Sequence, residues 1–305
     1  MKNIEDLRIA FKTALETDSN FTVHLGVDGT NGIEYLQADL DDQSTISLSN
    51  AYLKPLEHWF DNEDLAVVNL SGVDQRDSVL YFYDLPEKPD GFNQLEAVLR
   101  HNQPMFSFAN HDLGNIKSIA IKFATVENTF LFYKYVYPVS LVKRSNILMI
   151  KMGDRLSYFD HDVLKVTSGF DVLLFDGGYY INGFKKFEKS FRFDVIENKI
   201  KTDATNSIMA LGICDDLKSH LANGIAPARD YIRVASSDVL RLPAATIIAH
   251  AETLQSKTGL KIENARIQLN SKNSVRVFMK MLNDDYLRSS LTHYDYDTLA
   301  KNKLG

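Results

Sequence analysis

Between residues 116 and 182 the chain carries six β-prone runs in close succession, at 116–126, 129–137, 146–152, 156–159, 171–175 and 179–182. Several are joined by turns too short for the crossover of a dozen or more residues that parallel strands require, so a meander is expected. Its clearest turn is Asp176-Gly177-Gly178, where glycine takes positive φ at little steric cost and lets two strands fold back on each other. Upstream, Ile4, Leu7, Phe11, Ala14 and Leu15 recur at helical spacing, short β-prone runs occupy 21–27, 65–70 and 79–83, and Leu53, Leu56, Trp59 and Phe60 mark a short helix. Downstream, helical spacing returns at 184–192, 205–214, 243–255 and 273–288. Pro243 suits a first helical turn and Gly259 a helix end. The expected fold is α+β, with mixed, mostly antiparallel sheets packed against amphipathic helices. Two prolines in the segment 84–91, and Pro104 after the helical run 95–100, suggest a boundary near 100–115. The reading is an acidic N-terminal α/β region over 1–114 and a C-terminal α+β domain over 115–305.

Charge is unevenly spread. Residues 1–142 hold 10 Lys and Arg against 21 Asp and Glu, a net of −11, and residues 143–305 hold 24 against 19, a net of +5, which together make the formal −6 of the whole chain. A local basic surface attracts phosphate even on an acidic molecule. The alternative is that the acidic part serves only solubility. The chain begins without a secretory-type leader, and no stretch approaches the roughly 18 uncharged apolar residues of a membrane span. One cysteine, Cys214, leaves no disulfide framework and no thiolate metal cage. A cytoplasmic location is expected, with any membrane role exercised through a partner.

Two basic stripes are the candidate binding residues. In 184–192, Phe184, Phe187 and Phe191 share one helical face, and Lys185, Lys186, Lys189 and Arg192 occupy the other. In 273–288, Lys272, Arg276 and Lys280 follow i, i+4, i+8 spacing beside Val275, Phe278 and Leu282. Such stripes can track a phosphate backbone, since charge contacts need no base recognition and gain from counterion release; otherwise each is a solvated helix surface. The run 130–137 alternates, with Leu131, Tyr133, Tyr135 and Tyr137 on one side. Its tyrosines suit either stacking on unpaired bases or, the preferred reading, a central strand buried on both faces.

Catalytic signatures are sparse. Glu197-Asn198-Lys199 matches the end of an acidic E-x-K metal site, which needs a further carboxylate such as Asp176 or Asp194. Asp160-His161-Asp162 reads as a solvated turn. Cys214 reads as a buried, inert thiol in a helix, and the other histidines, at 24, 58, 101, 111, 220, 250 and 293, have no metal-ligand spacing. No Walker loop, G-x-G-x-x-G, H-E-x-x-H or G-x-S-x-G occurs. Neither a catalytic residue, a metal nor a cofactor is assigned.

Two stretches carry a resemblance. Phe170-Asp171-Val172-Leu173-Leu174-Phe175-Asp176-Gly177-Gly178-Tyr179-Tyr180-Ile181 precedes the helix of Phe184, Phe187, Glu188 and Phe191. Further on, Phe278-Met279-Lys280-Met281-Leu282-Asn283-Asp284-Asp285-Tyr286-Leu287-Arg288-Ser289-Ser290-Leu291-Thr292 is followed by Tyr294 and Lys301. In this order they resemble the KwaB-type domain of Kiwa anti-phage defence systems over about residues 115–303. The resemblance implies an anti-phage DNA-binding effector without established sequence preference, self-associating as a homodimer or higher homo-oligomer. It also implies a membrane-embedded Kiwa partner that holds the protein at the inner membrane. The resemblance names no functional side chains, so the seven basic residues rest on charge placement alone, with electrostatic occupancy of DNA as the expected mechanism. A metal-dependent nuclease and a non-catalytic interaction subunit are the alternatives. The second stretch also has a purely structural reading, with Leu282, Tyr286 and Leu287 packing a core and Asp284 and Asp285 capping or pairing with Arg288.

Overall fold

A computed structural model describes residues 3–30, 32–72, 79–142, 148–159, 162–214, 217 and 228–298. Asp160, His161, His220 and Lys301 lie outside them. The described residues form eight helices, one eight-stranded sheet and four two-stranded pairs, an α+β arrangement. The chain divides into two compact units. The first comprises Met1–Val68, Ser78–Tyr83 and Lys88–Arg192, and the second Asn69–Asp77, Asp84–Glu87 and Phe193–Gly305. No described helix is long and apolar enough to cross a membrane.

In the first unit, α1 (Ile4–Glu16) leads into β1 (Asn20–Gly29) and β2 (Gly32–Gln37), followed by α2 (Asp42–Phe60), β3 (Ala66–Asn69), β4 (Val79–Phe82) and α3 (Phe92–Arg100). Next come β5 (Ile116–Ala124), β6 (Thr129–Tyr135), β7 (Leu141–Val142), β8 (Leu148–Met152), β9 (Arg155–Phe159), β10 (Val163–Leu164), β11 (Val172–Phe175), β12 (Gly178–Ile181) and α4 (Phe184–Phe191). The sheet runs β2-β1-β5-β6-β11-β12-β4-β3. All six pairings from β2 through β4 are antiparallel, as the short connections require. Strands from either side of residue 115 therefore share one sheet, through the β1–β5 pairing. At the β11–β12 turn Phe175 faces Gly178, and Asp176 and Gly177 have φ of 47° and 72°. Positive φ at both central residues matches the right-handed twist of the flanking strands.

Alternation along the strands buries both faces of this sheet. On one side Leu7, Phe11 and Ala14 of α1 and Tyr52, Leu53, Leu56 and Phe60 of α2 join Val23, Ile121, Phe123, Phe130 and Phe132 in one core. Phe11 meets Phe130 edge-on at 5.5 Å. On the other side, Phe92 of α3 stacks on Tyr179 at 3.8 Å, and Phe191 of α4 lies 4.8 Å from Tyr133. Leu131 and Tyr133 are buried, so β6 has the two-sided burial preferred from its sequence. Several elements differ from expectation, among them the short strands β7 and β10, which no sequence run marked. Strand β2 had no sequence counterpart, and α2 extends from Asp42, capped by the Asp41 side chain, which accepts from the Ser44 amide at 2.7 Å.

The second unit contains α5 (Phe193–Ala210), α6 (Ala228–Ala235), α7 (Ala244–Thr258), the hairpin β13 (Lys261–Glu263) and β14 (Arg266–Gln268), α8 (Lys272–Leu282), and the hairpin β15 (Tyr286–Arg288) and β16 (Asp295–Asp297). Tyr231, Ile247, Ala251, Leu254, Phe278 and Leu282 are among the residues of its core. Gly259 ends α7 with φ of 73°, as its position predicts. The expected helix over 205–214 is the tail of α5, which stops at Ala210. Cys214 is buried beyond it in a parallel bridge to Ile267. The expected helix over 273–288 ends at Leu282, after which the chain turns back as β15 and β16.

Candidate nucleic-acid interface

The amphipathic pattern of α4 is realised in space. Phe184, Phe187 and Phe191 are buried, with Phe187 and Phe191 at 6.1 and 5.3 Å from Phe92. Burying three aromatic rings fixes the rotation of a short helix, because their transfer from water is worth about 1.5–3 kcal/mol each. Lys185, Lys189 and Arg192 then face solvent. Lys185 and Lys189, at i and i+4, align on one exposed side of α4, and Arg192 follows, exposed, at its C-cap. Among the described residues no carboxylate lies within ion-pair distance of these three. Arg192 caps the helix in the left-handed conformation, φ 49°, its amide donating to the Glu188 carbonyl.

Lys186 is placed differently. Its ammonium donates to Asp171 Oδ1 at 2.9 Å, while the Tyr135 amide donates to Asp171 Oδ2 at 2.8 Å. Asp171 is only 2% exposed, so this carboxylate joins the end of β6, the start of β11 and the first turn of α4. Burial works against the Lys186 charge, but the hydrogen bond and charge of Asp171 outweigh it and raise the pKa. Lys134 lies near the same carboxylate and donates to the Thr167 and Ser168 carbonyls at 3.2 and 3.0 Å. Its pKa is lowered, first by burial and then by Lys186, against the pull of Asp171. The cluster Lys134, Asp171 and Lys186 thus keeps one positive charge in excess.

Two tyrosines border this helix. The Lys189 ammonium lies 4.9 Å from the Tyr135 ring centre, and that of Lys186 lies 5.8 Å from Tyr137, distances at which a cation is attracted by the ring face. Tyr135 and Tyr137 meet edge to face at 5.1 Å. Of the alternating aromatic side of this segment, Leu131 and Tyr133 are spent on the core, and Tyr135 and Tyr137 remain accessible. Neither Lys134 nor Asp171 is among the site residues that the sequence suggests. An aspartate opening a run of buried apolar residues, Asp171-Val172-Leu173-Leu174-Phe175, was the available signal, since a buried carboxylate needs partners.

The second stripe lies in the second unit. Lys272 and Arg276 are exposed on α8, whereas Lys280 donates to both oxygens of Asp297 at 2.8 and 2.7 Å. Arg276 is also one of the cations acting on Asp230, whose pKa burial raises. The E-x-K triplet falls within α5, where residues two apart point about 200° from each other. Glu197 and Lys199 therefore cannot converge on one metal as they would on a strand, and Lys199 pairs instead with Glu87.

The run at 278–292 has a structural task in the same unit. The Asp285 amide donates to the Lys280 carbonyl and the Asp284 amide to the Met281 carbonyl, both at 2.9 Å, with Asp284 at φ 56°. These are the paired bonds of a Schellman turn. It carries Asp285 into the interior, where Arg233 grips it in a two-pronged pair, Nη1 to Oδ2 at 3.0 Å and Nη2 to Oδ1. The sequence profile described as "Kiwa protein KwaB-like" matches residues 113–292, well over half the chain. The chain belongs to this KwaB-like family. It is also 23% identical over 299 residues to the Kiwa protein KwaB of Escherichia coli O55:H7 (strain RM12579 / EPEC), covering 93% of this chain and 95% of that protein. No solved structure matches. The KwaB-like match spans β5 through β15 and contains both α4 and the Schellman turn of α8. Membership of the KwaB-like family makes this a Kiwa anti-phage defence protein.

Proposed function

We propose that the chain is the DNA-binding effector of a Kiwa complex and acts by electrostatic occupancy of DNA. The observation that carries this reading is the exposed line of Lys185, Lys189 and Arg192 on a helix whose other face is anchored by three buried phenylalanines. Lysine and arginine on a fixed frame contact phosphates whatever the sequence, which suits defence against DNA of any composition. Lys186 contributes less than its neighbours because Asp171 already holds it. Lys272 and Arg276 serve as secondary contacts, and Lys280 is offset by Asp297. The protein works in the cytoplasm as a homodimer or higher homo-oligomer, held at the inner membrane by a membrane-embedded Kiwa partner.

A mobility-shift titration at two salt concentrations tests the mechanism. Affinity should fall steeply as salt rises, and Lys185→Glu with Lys189→Glu should weaken binding to unrelated sequences alike and reduce the salt slope by about 2. Binding indifferent to both salt and charge reversal would sink it. Cleavage of DNA in magnesium or manganese, lost in Glu197→Ala, would favour a nuclease instead.

A further inference from the structure

The α4 surface adjoins accessible aromatic rings, which a purely electrostatic grip on a duplex does not use. Duplex DNA presents phosphates outward and hides the faces of its bases, so lysine and arginine alone meet it. An unpaired strand exposes both, and its binding sites pair cations with aromatic platforms, since every base has a π-face. That second composition is found beside α4.

Tyr137 is 41% exposed and Tyr135 partly so. Both are held in place. The Tyr135 amide is tied to the buried Asp171 carboxylate, and Tyr137 precedes Pro138, which restricts its backbone to the extended region it occupies, φ −78° and ψ 148°. The Tyr137 carbonyl accepts from the Ser140 amide at 2.8 Å. Lys186 and Lys189 lie over these rings, and Lys185 and Arg192 are exposed on the same helix and at its C-cap. A platform whose rings are fixed before binding loses little entropy when a base settles on it.

We infer that this site takes an unpaired DNA strand, with Tyr135 and Tyr137 stacking on splayed bases and Lys185, Lys189 and Arg192 tracking the phosphates. The rings stand 83° apart, so each holds a separate base rather than two neighbours of one continuous stack. The inference rests on the DNA-binding reading of α4 and narrows it to one form of DNA.

Fluorescence anisotropy with labelled oligodeoxythymidylate and a duplex of equal length, at one ionic strength, tests it on the full-length protein. The unpaired strand should bind more tightly. Tyr137→Leu and Tyr135→Leu should each weaken it by about tenfold, leave the duplex unchanged, and be rescued by phenylalanine at the same position. Tyr137→Leu alters an accessible side chain, so its thermal melt should match that of the parent and keep the test independent of folding. Equal or tighter duplex binding, or tyrosine variants that affect both forms equally or neither, would overturn the inference. Lys185→Glu with Lys189→Glu separates the two levels. Loss of both DNA forms in that variant, with no effect of the tyrosines, removes only the stacking claim, and no loss in any variant removes the DNA-binding reading as well.

Discussion

His24 points from β1 toward the α3 side of the sheet, buried, with Nε2 3.0 Å from the Thr22 hydroxyl. Burial, and secondarily the charge of Lys122, lowers its pKa to about 4. In the unfolded chain the ring titrates near 6.5. Between these values the unfolded state binds the proton and the folded state does not, so the stability that is complete above pH 6.5 is lost as pH falls toward 4, by about 3 kcal/mol. Urea midpoints at neutral and mildly acid pH should therefore differ less in His24→Leu than in the parent, and an unchanged pH response in the variant would remove His24 from the account. Nothing in the local sequence marks His24, because Lys122, whose charge acts on it, is supplied by another strand. The three phenylalanines of α4 were legible for the opposite reason: helical spacing alone puts them on one face. Asp171 falls between, visible as a polar residue in an apolar run, but with partners on β6 and α4 that only the fold brings near.

Elements were legible where periodicity is strong and local. The six expected strands and α4 follow their patterns closely, but not as one meander: β8 and β9 form a hairpin of their own and β6 is followed in the sheet by β11. The first half of α2 was not seen, because its Ser, Thr and Asn residues favour caps and turns over helix interiors, and it is held by the Asp41 cap and by packing of its later residues. Helix α8 was expected to run on to residue 288, since Asp284 gives no glycine signal for a stop. Its left-handed backbone is sustained by the two Schellman bonds and by the Arg233–Asp285 pair that follows. Arg192 ends α4 in the same conformation without glycine, at a cost of about 1–2 kcal/mol. Arg192→Gly should accordingly raise the melting temperature while weakening DNA binding and lowering its salt slope by about 1. A melt and a titration on one preparation check both signs, and a fall in both would show that Arg192 supports the helix rather than the ligand.

The molecule carries a net charge of −6, so any attraction to DNA must be local. Lys272→Glu with Arg276→Glu changes the total by the same amount as Lys185→Glu with Lys189→Glu. If net charge governed binding, the two variants would lose affinity equally. We expect the α4 pair to lose more, since Asp230 and Asp297 already temper the surroundings of α8, and parallel titrations decide between the two. The charge asymmetry along the chain was legible, but which cations remain unspent was not, because that depends on carboxylates distant in sequence. The Schellman turn and its ion pair have a last implication for ancestry. At the C-terminal end of the KwaB-like match, Asp284 and Asp285 are occupied in closing a helix and joining it to α6, whereas the proposed line of cations stands on another helix. Likeness near the C-terminus therefore speaks for a shared scaffold rather than for a shared ligand.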